Sequence, residues 1–264
     1  MRYSDLILHR SITSPANPLV KDVRQAIAKA ELTAQGFAIA ESFHLLEEAE
    51  RSGIPVEAVL AAERVADRVR TRAKLYVLED KLFDRLSSTE TSQGVIALVR
   101  LPQWSFEDML RDPALIVAID GVQDPGNCGA IIRSAEAFGA SGVVLLKGTA
   151  NSFHPKTLRA SAGSLFRMPF LNACEKRVFE QKTCVLTRFS AQISARLKPE
   201  TADLTRPCVL IVGSEGRGVS PELAAISEPV SIPTQGVESL NAAVAAGVIL
   251  YEAQRQRRAR LGSV

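Results

Sequence analysis

Two stretches near the C-terminus decide the fold: Val209–Ser220, VLIVGSEGRGVS, and Ser231–Glu252, SIPTQGVESLNAAVAAGVILYE. In the first, the apolar run Val209–Val212 reads as a buried strand that ends in a Gly-Ser-Glu-Gly-Arg-Gly loop. In the second, a short Ile-Pro segment leads into Ser-Leu-Asn, and the spacing predicts a long helix over Leu240–Arg257. Glycines at 213, 216 and 218 give G-x-x-G-x-G, which is neither the dinucleotide pattern G-x-G-x-x-G nor a phosphate loop ending in Gly-Lys-Ser/Thr. A nicotinamide site and an ATPase are therefore disfavoured. Glycine backbone can approach a ligand closely, and Glu215 adds an acceptor between two of these glycines. Two backbone-exposing loops so near each other predict a cofactor pocket beside a polar catalytic face. The small residues Ala242, Ala243, Ala245, Ala246 and Gly247 leave the last helix smooth enough to pack closely on the sheet or on a second subunit.

Upstream lies a third motif, Asp120–Ala140, DGVQDPGNCGAIIRSAEAFGA. The run Leu115–Ile119 reads as a strand and Asn127–Phe138 as a helix, joined by Asp-Gly and Asp-Pro-Gly turn signals. Asn127 is placed to cap that helix, and Arg133 follows on it. Functional groups of an α/β sheet gather where strand C-termini meet helix N-termini, so Asn127 and Arg133 are candidates to face one ligand. Further strands are predicted at Val143–Leu146 and Thr183–Thr187, with a helix at Lys156–Ala162. Strands separated by helices imply a mostly parallel sheet covered on both faces.

The N-terminal region is a smaller alternating α/β unit. Helices are predicted at Asn17–Lys29 and Ser42–Arg51, and strands at Phe37–Ala40, Val56–Ala61, Leu75–Leu78 and Val95–Leu98. The segment Leu101–Pro113, with two prolines and the single tryptophan, reads as a linker with a short helical turn. The expected division is a domain over 1–100, a linker over 101–113 and a second domain over 114–264.

Composition bounds the function. The 264 residues are 46% hydrophobic and 23% charged, enough for one large domain or two ordinary ones. A net charge of +3 and a pI near 8.7 fall short of a strongly basic nucleic-acid-binding domain, so any RNA contact must rest on a local patch. Arg10, Lys21 and Arg24 are candidates for phosphate contacts, as is the cluster Arg255-Gln256-Arg257-Arg258-Ala259-Arg260. No segment has the length and apolarity of a membrane span, and no secretory leader is seen. Cys128, Cys174, Cys184 and Cys208 lack Cys-x-x-Cys spacing, and His9, His44 and His154 are the only histidines. No metal site is expected; the cysteines read as reduced thiols of a cytoplasmic protein.

The series Asn127, Arg133, Phe138-Gly139, then Gly213, Glu215, Gly218, then Ile232-Pro233, Gly236, Ser239-Leu240-Asn241 resembles the SpoU/TrmH branch of the SPOUT RNA methyltransferases. Ser14–Gln25 and Lys81–Val99 resemble the small RNA-binding domain often attached to that branch. The resemblance implies an α/β catalytic domain with a deep trefoil knot, an exception to the general absence of knots. It implies S-adenosylmethionine as cofactor, a homodimer, and methyl transfer to a ribose 2′-hydroxyl of RNA, large-subunit ribosomal RNA first and tRNA as the alternative. It further implies that Gly213, Ile232 and Leu240, with Gly218 and Gly236 in the same motifs, hold the cofactor. Asn127, Arg133, Glu215, Ser239 and Asn241 then form the catalytic face. The chain departs from the family pattern at Thr234, where Met is common after Ile-Pro, and at Ala242-Ala243, which often reads Val-Ser. It departs again at Glu41-Ser42, where Glu-Gly is usual. A non-catalytic RNA-binding protein that keeps the fold is the competing class.

Overall fold

The computed structural model describes residues 10–261. The chain divides into two compact units, whose described parts are 10–102 with 153–166, and 103–152 with 167–261. His9 and the rest of the first nine residues lie outside the described residues.

The first unit runs β1 (Arg10–Ile12), α1 (Pro18–Lys29), β2 (Ala38–Glu41), α2 (Phe43–Arg51), β3 (Val56–Ala62), a 3-10 turn at Glu63–Arg68, β4 (Lys74–Leu78), α3 (Asp80–Asp84) and β5 (Val95–Val99). Its sheet has the order β1-β4-β3-β5-β2, with β5 antiparallel to both neighbours and the other pairs parallel. The local chemistry starts each helix. Asn17 accepts from the Leu19 N–H with Pro18 at the first helical position, and the Ser42 hydroxyl accepts from the Leu45 N–H. Ser42 does so at φ 146°, a backbone region that favours glycine.

The second unit begins with α4 (Phe106–Met109), capped by Ser105 and Asp108. There follow β6 (Leu115–Asp120), α5 (Pro125–Ala137), β7 (Gly142–Leu146), α6 (Pro155–Ser161), α7 (Ser164–Arg167), β8 (Phe170–Cys174), α8 (Lys176–Lys182), β9 (Thr187–Ala191), β10 (Cys208–Gly213), α9 (Pro221–Ala224), β11 (Glu228–Val230) and α10 (Ala242–Leu261). Of these, α6 and all but the last residue of α7 belong by their contacts to the first unit, where α6 packs on β2. The six strands are all parallel, in the order β11-β9-β10-β6-β7-β8. One core, including Ile116, Ala118, Val144, Val209, Ile211 and Phe179, lies against one face of the sheet. Strands buried on both faces explain the near-continuous apolar runs of β6, β7 and β10.

Three elements differ from expectation by two residues or more. The strand expected at Thr183–Thr187 lies at Thr187–Ala191, because the Thr183 hydroxyl donates to the Phe179 carbonyl and closes α8. Pairing with β10 then starts at Thr187, opposite Cys208. The helix expected from Asn127 starts two residues earlier at Pro125, and the helix expected from Leu240 starts at Ala242 and extends to Leu261. Among the described residues, no helix is long and apolar enough to cross a membrane.

Candidate active site

Strand order places the site. The chain moves outward from β6 through β7 to β8, then crosses to β9 and returns to β10 beside β6. The C-terminal ends of β6 and β10 therefore flank a topological switch point, where open α/β sheets bind ligands. The two ends are level, with Gly213 paired to Asp120.

After β6 the chain turns through Gly121 into α5. The cap of this helix is Asp124, not Asn127: Asp124 Oδ1 accepts from the Asn127 N–H at 2.9 Å, and Pro125 takes the first helical position. Asn127 sits inside the first turn, and its side chain is released to other partners. Its Nδ2 donates to Glu215 Oε1 at 2.5 Å. Asn241 Nδ2 donates to Asn127 Oδ1 at 3.1 Å and lies 3.5 Å from Glu215 Oε1. Asn241 Oδ1 also accepts from the N–H groups of Ala243 (2.9 Å) and Val244 (3.3 Å), so one side chain caps α10 and joins the cluster. Three motifs separated by up to 114 residues thus meet in one carboxylate–diamide cluster at the surface.

Beside it is a cavity of about 580 Å³, within the range of small-molecule sites. Gly213, Gly218, Ile232 and Leu240 line it, as do Ser239 and Glu215. Gly236, expected here, is not in its wall; it forms a turn at φ 74° in the loop above. Gly213 is required by space, since a Cβ there would lie 2.0 Å from the Gly218 carbonyl carbon. Thr234 also lines the cavity, and its hydroxyl donates to the Val237 carbonyl at 2.9 Å, which holds this loop in a turn. The opposite wall, Ala191–Ser194 after β9, carries no motif and was not foreseen. Lys198 supports that side by donating to Ser231 Oγ (2.7 Å) and the Ala195 carbonyl (3.0 Å). Backbone edges around Gly213–Gly218 together with apolar Val212, Val230 and Ile249 suit a ligand with a flat heterocycle and a polar rim. A nucleoside cofactor such as S-adenosylmethionine fits this lining.

Arg133 is exposed on α5 and, among the described residues, makes no hydrogen bond or ion pair. Six residues along a helix is about 9 Å of rise and a rotation that leaves the Asn127 face, so a single chain does not bring Arg133 into the cluster. Ser239 is exposed at the cavity wall. Arg10, Lys21 and Arg24 are exposed on β1 and α1 of the first unit. Within the C-terminal basic cluster Arg257 is committed to the fold, whereas Arg255, Arg258 and Arg260 are exposed. Arg257 donates to the carbonyls of Pro113 (2.7 Å), Ala114 (2.9 Å), Leu204 (2.9 Å) and Arg206 (2.9 Å). Arg255 pairs with Glu252 at 2.8 Å, and Arg260 reaches Thr205 Oγ1 at 3.2 Å.

Burial raises the thiols of Cys128, to about 12, and of Cys174 and Cys208 above their ordinary value. Among the described residues, no group of three or more His, Cys, Asp or Glu side chains is arranged to hold a metal ion.

The model of the SpoU rRNA methylase family matches residues 114–251, and that of the MRM3-like substrate binding domain matches residues 17–97. The chain is 34% identical over 247 residues to the 23S rRNA (guanosine(2553)-2′-O)-methyltransferase RlmP of Bacillus subtilis (strain 168), covering 92% of this chain and 98% of that one. The crystal structure of an AdoMet-bound rRNA methyltransferase from Sinorhizobium meliloti superposes with a TM-score of 0.80 at 28% identity, covering 94% and 98% of the two chains. The SpoU methyltransferase AviRb of Streptomyces viridochromogenes, in complex with AdoMet, gives 0.76 at 27% identity over 92% and 100%.

Proposed function

We propose that this chain, which belongs to the SpoU rRNA methylase family, transfers a methyl group from S-adenosylmethionine to a ribose 2′-hydroxyl of large-subunit ribosomal RNA. The observation that carries this reading is the meeting of Asn127, Glu215 and Asn241 beside a nucleoside-sized cavity at the sheet's switch point.

When bound, S-adenosylmethionine supplies a methyl group on a sulfonium, ready for in-line displacement. Gly213, Gly218, Ile232 and Leu240 hold the cofactor, largely through backbone, and Gly236 shapes the loop that covers it. Asn127 and Asn241 fix the Glu215 carboxylate at the rim. A 2′-hydroxyl is a weak nucleophile, so its proton must leave during attack. Glu215 is the acceptor within the cluster, directly or through water. The Arg133 guanidinium, without a counter-ion among the described residues, stabilises the developing alkoxide and clamps an adjacent phosphate. Ser239 hydrogen-bonds the ribose. Orientation of the methyl against the oxygen supplies much of the rate.

The catalytic domain spans 114–264, is joined by the linker 101–113 to the substrate-binding domain 1–100, and is threaded as a deep trefoil knot. The support for the knot is the return of Ser231–Asn241 to the β6 and β10 ends, between β11 and α10. The protein works as a homodimer. Val244, Val248 and Tyr251 are 52%, 41% and 56% exposed on one stripe of α10 and, with Phe138 at the end of α5, line a shallow apolar depression. Burying such a stripe against a second copy is favourable. Arg133 stands at the edge of this face, beside Ser134, where a second protomer's site can receive it. Arg10, Lys21 and Arg24 contact RNA phosphates, and the enzyme acts in the cytoplasm, where ribosomal RNA is its substrate.

The test is transfer of labelled methyl from S-adenosylmethionine to separated, unmodified ribosomal RNA and tRNA. Label in the ribosomal fraction is the expected result; label in tRNA alone overturns the substrate assignment, and failure to bind the cofactor overturns the enzyme.

A further inference from the structure

The loop that carries Glu215 lines the cofactor cavity and is a strut of the catalytic cluster, yet its tip, Glu215–Gly218, is exposed. It is closed on itself by the Gly218 N–H donating to the Ser214 carbonyl at 2.8 Å. What fastens it to the sheet is the first residue of the Asp120–Ala140 motif, which is not among the catalytic or cofactor candidates. Asp120, the last residue of β6, pairs through its backbone with Gly213, where the loop leaves β10. Its side-chain Oδ2 accepts from the Ser220 N–H at 2.7 Å, where the loop ends and α9 begins. Both ends of the loop are therefore held on the same residue.

Asp120 is only 4% exposed. Its nearest cation is Lys176, with Nζ 3.6 Å from Oδ1, and Lys176 also lies 3.5 Å from Glu222. A carboxylate so deeply placed is costly unless its acceptors are used. The Ser220 hydroxyl is buried without a partner, so at this position it is the main-chain N–H, not the side chain, that meets the carboxylate.

We propose that Asp120 is a positioning residue for methyl transfer: by clasping both ends of Gly213–Ser220 it sets the cofactor wall and holds Glu215 against Asn127. The proposal rests on the methyltransferase reading, and its test separates the two. Ser220 has φ −59° and ψ 147°, dihedrals open to proline, also before Pro221. Ser220→Pro removes the N–H and puts the ring Cδ against the carboxylate oxygen, so it opens the clasp without changing the Asp120 residue, whereas Ser220→Ala keeps the N–H and deletes only the hydroxyl. Asp120→Asn keeps an acceptor for that N–H and loses the charge facing Lys176.

Hydrogen exchange in the cofactor-free protein comes first. Ser220→Pro should speed exchange at the Gly218 amide by about tenfold or more, the worth of a charge-assisted hydrogen bond, with the strands of the sheet unchanged. Ser220→Ala should match the wild type. With S-adenosylmethionine, Ser220→Pro should weaken binding by about tenfold and lower kcat by at least as much, with KM for RNA within about threefold. Asp120→Asn should bind the cofactor within about threefold of wild type, because its acceptor remains. Unchanged exchange and affinity in Ser220→Pro would overturn the clasp. A wild-type protein that shows the exchange difference but binds no S-adenosylmethionine would overturn the methyltransferase reading, and with it the role assigned to Asp120.

Discussion

Glu41 and Glu215 each gather the polar groups of one unit, under opposite conditions. Glu41, at the end of β2, is 2% exposed and accepts from the hydroxyls of Ser87, Ser88 and Thr89, the Ser88 N–H, and Arg159 Nη1 at 2.9 Å. Burial lowers the Arg159 guanidinium and Glu41 opposes that shift. Glu215 lies at the surface with two amides, and Arg133, the cation assigned to the same chemistry, is free of protein partners among the described residues. A saturated, buried carboxylate fixes structure; a partly satisfied, exposed one keeps capacity for a substrate. The difference separates scaffold from site without reference to any motif.

The comparison breaks most visibly at Glu41. Glu41→Ala strands Arg159 and several hydroxyls, and should destabilise the protein by about 3–5 kcal/mol in denaturant unfolding. Retention of full stability would mean that the network is not structural. Arg133→Ala should do the reverse, with kcat lowered about 100- to 1,000-fold while unfolding and cofactor affinity stay near wild type. Normal turnover by this variant would remove Arg133 from the mechanism. Asn241→Ala sits on the boundary between the two behaviours. Losing the cap of α10 should cost about 1 kcal/mol of stability, and losing the hold on Asn127 should lower kcat as well, so a change in only one of the two would split its roles. The smallest effect has the opposite sign. Ser42→Gly relieves the strain at φ 146° and forfeits little capping, so it should stabilise by about 1 kcal/mol in thermal unfolding.

The readable parts of the sequence were those where local chemistry and periodicity agree. The apolar runs of β6, β7 and β10, the Asn17-Pro18 helix start and the Gly213–Gly218 loop all appear where their residues place them. Asn127, Glu215 and Asn241 stand out by their motifs, and hydrogen bonds join the three side chains. Other features have no local signature. The Ala191–Ser194 wall is composed of ordinary residues, and its position follows only from the crossing of β9 to the far side of β10. The commitment of Arg257 to four carbonyls depends on chain segments some 50 to 144 residues away, so a basic tail reads the same whether free or fastened. Similarly, Asp-Pro is a strong helix start, but the neighbouring Asn127 was an equally good cap by type, and the Asp124 geometry decides between them. The membership of Phe153–Phe166 in the first unit rests in part on Arg159 meeting Glu41 across 118 residues.

The most direct test of the account is nucleoside mass spectrometry of unmodified large-subunit ribosomal RNA after incubation with S-adenosylmethionine and either the wild-type protein or Arg133→Ala. The account predicts a 2′-O-methylated nucleoside with the wild type and its near-complete loss with the variant. A base-methylated product, or equal 2′-O-methylation by both proteins, would contradict it.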